Sequence, residues 1–287
     1  MFQSFRSAST LAISAAISAS SLACVDISAG NVRYIDTVEK RFTVSGEPTV
    51  TLGTFDGSVE VGTWDRPEVL VVVEKHAVDK ESADRIVVDT AQDGDRIKVD
   101  VTHGSDHGGF SINIGSFSAQ VKVTVPSKAH IEASTGDGRV TVRDVEGNLT
   151  VRTGDGSIRL SNVHGAVDAN TGDGSVDVDG VIARLKVRSG DGRVRVHPTA
   201  PPASDWSVDT GDGTVVLEVP DRFDAELYAA TGDGRVRVSG VDFVSDGDDS
   251  RHRTEARGRL GQGGARITLR SGDGTITVRR ADGAFDQ

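Results

Sequence analysis

The stretch that decides the fold is Val167-Asp168-Ala169-Asn170-Thr171-Gly172-Asp173-Gly174-Ser175-Val176-Asp177-Val178. Up to Thr171 every second side chain is apolar or small. A Gly-Asp-Gly tripeptide interrupts, and the alternation resumes at Val176. Period-two alternation marks a strand with one buried face. The stretch therefore reads as two short strands joined by a turn. Glycine accepts positive φ without a steric cost, and aspartate tolerates it and can bond its own backbone, which accounts for the turn's composition.

The same unit recurs. Gly-Asp-Gly occurs seven times, with its aspartate at Asp137, Asp155, Asp173, Asp191, Asp212, Asp233 and Asp273, at intervals of 18, 18, 18, 21, 21 and 40 residues. A divergent eighth copy is Phe55-Asp56-Gly57. The flanking positions repeat too: Leu149, Val151 and Thr153 precede Asp155, and Ile158, Leu160 and Val163 follow it. Self-similarity at a period near twenty is the signature of a stacked array.

The fold class is all-β, and two architectures fit. In a single-chain β-solenoid, of the β-helix or β-roll kind, about eight two-strand repeats stack at about 4.8 Å, with irregular strands at the N-terminal end. In an antiparallel meander or sandwich, each Gly-Asp-Gly closes a hairpin. Two features favour the solenoid. A hydroxyl recurs at one inward position beside the turn (Thr54, Thr135, Thr153, Thr171, Ser189, Thr210, Thr231, Ser271), where stacking would form a ladder within reach of backbone groups. An outward position alternates in sign (Arg159, Asp177, Arg195), which suits neighbours in a stack.

Outside the repeats, residues 24–46 read as a tether running into a first strand at Arg41–Val44. Residues 47–127 read as an irregular N-terminal β region, with a helical turn at Asp79–Asp84, and 128–280 as the Gly-Asp-Gly solenoid. Residues 102–118 form a glycine-rich loop, and 197–205 a proline-rich insertion. Residues 242–265 read as a mobile loop between the last two repeats, and 281–287 as a tail.

Residues 1–23 read as an export signal: Arg6 supplies the positive start and residues 8–19 a small apolar run too short to span a bilayer. The chain's one cysteine, Cys24, directly follows Leu22-Ala23, as in a bacterial lipoprotein processing site, which makes Cys24 the expected lipidation point. Ordinary cleavage near Ala23 is the alternative. The expected location is the periplasm or cell surface, with the membrane touched only through an N-terminal lipid. The 287 residues carry a net charge of −11, with basic residues scattered among acids. Duplex binding needs a cationic field, so no nucleic acid is expected as a partner.

Several segments taken together resemble the bacterial putative-adhesin family, domain of unknown function 4097. They are Phe42-Thr43-Val44-Ser45-Gly46, then Gly57-Ser58-Val59-Glu60-Val61-Gly62-Thr63-Trp64-Asp65, a charged strand ending at Lys75, the strand Val121–Pro126, and the repeats. The likeness spans roughly residues 40–280. It implies an exported β-repeat protein with no assigned reaction, and it brings no functional residues. The near-invariant Gly-Asp-Gly departs from the looser Ser/Asn-Gly-Asp turn common in the family.

Candidate chemistry is sparse. The seven aspartates are candidate calcium ligands, but calcium-binding rolls use both turns of each coil, and here one turn carries the motif. A ladder of solvated turn aspartates is the alternative, and no cofactor is expected. His103 and His107, with Asp106 between them, have metal-like spacing but no third histidine near. Asp246–Asp249 lacks the remaining positions of a calcium loop. No nucleophile elbow or phosphate loop occurs, so no catalytic residue is assigned. The functional expectation is a non-catalytic envelope protein used for adhesin-like binding or scaffolding, with a glycan or an envelope protein as partner. The alternatives are a carbohydrate-active enzyme on a β-helix and an envelope-stress module that binds a protein.

Overall fold

The computed structural model describes residues 21–26, 33–104, 117–246 and 254–281. The N-terminal part supplies β1 (Ser21–Asp26), β2 (Arg33–Thr43), β3 (Thr49–Thr54), β4 (Val59–Trp64), β5 (Glu68–Ala77), the short helix α1 (Lys80–Asp84), β6 (Ile86–Asp93), β7 (Arg96–His103) and β8 (Ser118–Pro126). The regular repeats supply β9 (His130–Thr135), β10 (Val140–Arg143), β11 (Leu149–Thr153), β12 (Ile158–Asn170), β13 (Val176–Ser189), β14 (Val194–Pro198), β15 (Trp206–Thr210) and β16 (Val215–Val219). The C-terminal part supplies β17 (Ala225–Thr231), β18 (Arg235–Ser239), β19 (Phe243–Ser245), β20 (Glu255–Leu260), β21 (Arg266–Ser271) and β22 (Thr275–Arg280).

Equivalent strands of successive repeats pair in parallel, as in a β-solenoid and unlike a meander. One sheet holds the strands before the Gly-Asp-Gly turns, in the spatial order β7, β3, β9, β11, the second halves of β12 and β13, β15, β21, β17. The facing sheet holds the strands after the turns: β8, β4, β10, the first halves of β12 and β13, β14, β16, β22, β18. Each pair across the turn is one rung of the stack. Alternation turns Ile131, Val151, Val187 and Leu269 inward from the first sheet and Val142, Leu160, Val178 and Val278 from the second, all buried. The core is a thin aliphatic layer, its width set by valine, isoleucine, leucine and alanine side chains.

The rung order is not the chain order. The rung of β7 and β8 lies outside that of β3 and β4, although it comes later in sequence. The β21–β22 rung inserts between the β15–β16 rung and the β17–β18 rung. Two expectations change accordingly. Residues 49–54 with 59–64, and 96–103 with 118–126, form regular rungs within the stack, with Thr54 in register beside Thr135. Residues 243–245 and 255–260 are strands at the end of the stack rather than a loop between rungs, because β20 pairs antiparallel with the outer edge of β17. At the opposite end β6 covers β7 and β5 covers β8, both antiparallel, and β2 and then β1 extend the second sheet. The expected tether thus contains two strands, and the first clear one runs back to Arg33. The helical turn stands as read, with Asp79 capping it through a 2.8 Å bond accepted from the Ser82 N–H.

Glycine in the repeated turn also has a different cause from the one its composition suggested. None of the Gly-Asp-Gly glycines has a left-handed φ. What excludes a side chain is the next rung: a Cβ on Gly174 would lie 1.9 Å from the Gly156 carbonyl oxygen, and one on Gly192 would lie 1.9 Å from that of Gly174. The turns themselves continue the ladder, with the Gly211 N–H donating to the Gly190 carbonyl at 2.6 Å and the Gly172 N–H donating to that of Gly154. Positive φ is found at the other edge, at Gly147 (153°), Gly165 (143°) and Gly180 (133°), and in the divergent copy at Gly57 (116°).

Candidate functional site

The stack has two edges, and each carries one candidate. The Gly-Asp-Gly edge gathers all seven repeated aspartates. The insertion of the last rung puts them in the order Asp137, Asp155, Asp173, Asp191, Asp212, Asp273, Asp233. All seven side chains are solvent-exposed. Neighbouring carboxylates at this spacing repel. Two of them are engaged by backbone: Asp137 Oδ1 accepts from the Asp155 N–H and Asp191 Oδ1 from the Asp212 N–H, each at 3.3 Å. Among the described residues Arg139, Arg193 and Arg235 form no ion pair with this ridge, and Arg139 instead donates to Ser157 Oγ at 3.0 Å. No group of three or more metal-ligating side chains converges among the described residues.

Beneath the aspartates runs the hydroxyl ladder. Each hydroxyl is buried, and from Thr135 onward each bonds carbonyls of the adjacent rung's turn, whereas Thr54 donates to the Asp56 carbonyl of its own turn at 3.2 Å. Thr171 Oγ1 donates to Gly154 at 3.2 Å or Gly156 at 2.8 Å, Ser189 Oγ to Gly174 at 3.0 Å, and Thr231 Oγ1 to Gly272 at 3.0 Å or Gly274 at 2.8 Å. These side chains are satisfied structural groups. On the outer face of the second sheet, Asp177 pairs with Arg159 at 3.6 Å and with Arg195 at 3.5 Å, as the alternating signs anticipate.

The histidine pair does not assemble as a site in the described residues. His103 ends β7 with its ring between Phe55 and Phe117, at centroid distances of 5.8 and 4.5 Å. Asp106 and His107 lie outside the described residues, as do residues 1–20. Cys24 lies within β1, its backbone opposite Ile35. Of the acidic segment Asp246–Asp249, only Asp246 is described, and it pairs with Arg257 at 3.6 Å. Among the described ionisable side chains Glu218 alone is buried, and the Arg279 guanidinium of the next rung holds it.

The opposite edge carries a cleft of about 470 Å³ that sequence reading missed. Its cause is the inserted rung. After β16 the chain must cross over β22 to reach β17 one rung further on, so the 219–224 connection spans two rungs where the regular turns span one. The gap beside it is closed by Gly240–Asp242, by Leu260–Gln262 and by Arg280. Phe223 packs inward against Trp206, with ring centroids 6.2 Å apart. Asp224 Oδ1 accepts the Gln262 N–H at 2.8 Å, and Arg280 pairs with Asp221 at 3.5 Å. A sequence signal existed in the 40-residue interval before Asp273, but it does not say where the displaced rung goes.

A family described as Toastrack DUF4097 matches residues 56–199 and again 129–279, most of the chain in two overlapping registers, as a repeat should. Among curated proteins none matches the sequence. Solved structures that match include a putative cell adhesion protein from Clostridium sporogenes (14% identity, TM-score 0.37, 85% of this chain and 99% of that one). Others are a putative adhesin from Bacteroides fragilis (10%, 0.37, 85% and 97%) and a putative lipid binding protein from Parabacteroides distasonis (14%, 0.40, 87% and 97%).

Proposed function

The chain belongs to the Toastrack DUF4097 family, and from that premise we propose that it is an exported, non-catalytic envelope protein whose rigid stack displays a binding surface for a glycan or an envelope protein. The observation that carries this reading is the regular rank of side chains along one edge of the stack. The turn aspartates stand one per rung along an exposed edge, and the buried Glu218 is neutralised by Arg279. A periodic rank of side chains on a stiff scaffold suits recognition of a repeating or extended partner. A glycan array run beside a polysaccharide-degradation screen tests it: binding without cleavage is the expected result, and product release from any polymer overturns it.

Two parts of the proposal have their own tests. Lipidation of Cys24 would retain Cys24-Val25-Asp26 of β1 and anchor the stack by its N-terminal end; intact mass of the mature N-terminus shows the acyl chains or their absence. The aspartate ridge is read as a solvated turn ladder. Thermal melts in millimolar calcium and in chelator are expected to coincide, whereas a ligand bound only by the folded state would raise the midpoint.

A further inference from the structure

Resting on that reading, we propose that the cleft beside the inserted rung is a binding site for a neutral saccharide unit. Its floor is apolar, with Val219 and Leu260 each 1% exposed and Phe223 5%. Its rim carries Arg222, Asp242 and Gln262, all exposed, and none of these side chains makes a hydrogen bond or ion pair among the described residues. The other charged groups around the cleft are already engaged: Arg280 with Asp221, and Asp224 with the Gln262 N–H. Three unspent planar polar groups thus stand over an apolar base in a volume typical of small-molecule sites.

This set has a chemical preference. Guanidinium, carboxylate and amide each offer paired donors or acceptors in a plane, the geometry that matches vicinal hydroxyls. A sugar ring adds an apolar C–H face that an aliphatic floor can cover. The charges of Arg222 and Asp242 cancel, and Arg280 and Asp221 cancel, leaving Asp224 in excess. A phosphate or uronate would meet no net positive field here, whereas a neutral polyhydroxy ligand needs none. The rim residues come from three different connections, each pinned to a strand end, so the site is held in shape by the stack.

The test uses the full chain and a panel of neutral di- to tetrasaccharides with their uronate counterparts, titrated by calorimetry. Arg222→Ala and Asp242→Ala are each expected to weaken the best neutral ligand about tenfold or more, with Gln262→Ala in the same direction. Melting midpoints should stay unchanged, because these side chains hold nothing in the fold. Asp155→Asn, on the opposite edge, should leave affinity intact. Full affinity in the rim variants would place the saccharide elsewhere and overturn the cleft while the glycan-binding reading stands. No binding by the unaltered chain to any panel member would overturn the cleft as a saccharide site while the wider binding reading stands on the glycan array, and tighter uronate binding would overturn the charge argument. Ligand-induced slowing of amide exchange at 260–262 is a second readout independent of the variants.

Discussion

The two ends of the stack are closed in different ways. At the N-terminal end both sheets are covered by antiparallel strands, β6 on β7 and β5 on β8, and the terminal rung is as buried as an interior one: Val121 is 1% exposed and Val123 2%. At the C-terminal end β20 covers β17, but among the described residues β18 pairs with β22 alone. Its inward positions Val236 and Val238 are only half-buried, where every equivalent valine along the second sheet is buried. A solenoid must cap its ends, because a terminal rung otherwise offers apolar surface and unpaired backbone. The lesson is that capping acts sheet by sheet, and the half-covered rung is where local opening should begin.

Three substitution pairs and one single substitution can break or sharpen this contrast. The largest effect belongs to the turn clearance. Gly174→Ala should cost about 3 kcal/mol, since its Cβ would meet a carbonyl oxygen between two fixed rungs. Gly234→Ala has an equally short contact, to Gly274, but lies in the terminal rung, which can move outward, so about 1 kcal/mol is expected. Equal shifts in urea midpoint for the two would show that the ends are equally rigid.

Next come the apolar pairs. Val121→Ala at the covered end should lose about 2 kcal/mol, and Val236→Ala at the open end about 0.5 kcal/mol. Native-state hydrogen exchange on the unaltered protein tests the same point: β18 amides should exchange well before those of β8, and the reverse order would refute the contrast. Thr171→Val and Thr231→Val should each cost about 1 kcal/mol, because each strands carbonyls of the neighbouring turn. Calorimetric melts should therefore give equal losses, placing the hydroxyl ladder beyond the influence of the caps; a much smaller loss for Thr231→Val would bring the ladder under it. The smallest change is expected from Arg159→Ala, within about 0.5 kcal/mol, because its pair with Asp177 is exposed and Asp177 keeps Arg195. A larger loss in thermal stability would mean that the outer face contributes to holding the rungs together.

Much of the fold could be read from local pattern. Alternation around each Gly-Asp-Gly places Val176 and Val178 inward, and they are buried; the recurrent Thr or Ser beside the turn foretells a hydroxyl ladder, and Thr153, Ser189 and Ser271 form it. The role of the glycines was read less well. Positive φ is a property of one residue and comes first to mind, whereas the contact that forbids a Cβ on Gly156 comes from Gly138 of another rung. The candidate site divides likewise. The aspartates were visible as a motif, but the cleft joins Phe223, Asp242, Gln262 and Arg280, residues up to 57 positions apart.

By itself the sequence determined the period and the inward face of every repeat, because each depends on a residue and its near neighbours. The tertiary structure alone decided which rung lies beside which, where the caps dock and where the cleft opens. Those are choices among nearly equivalent strand edges, made by backbone pairing and burial over long separations, and a repeated pattern matches every edge equally well.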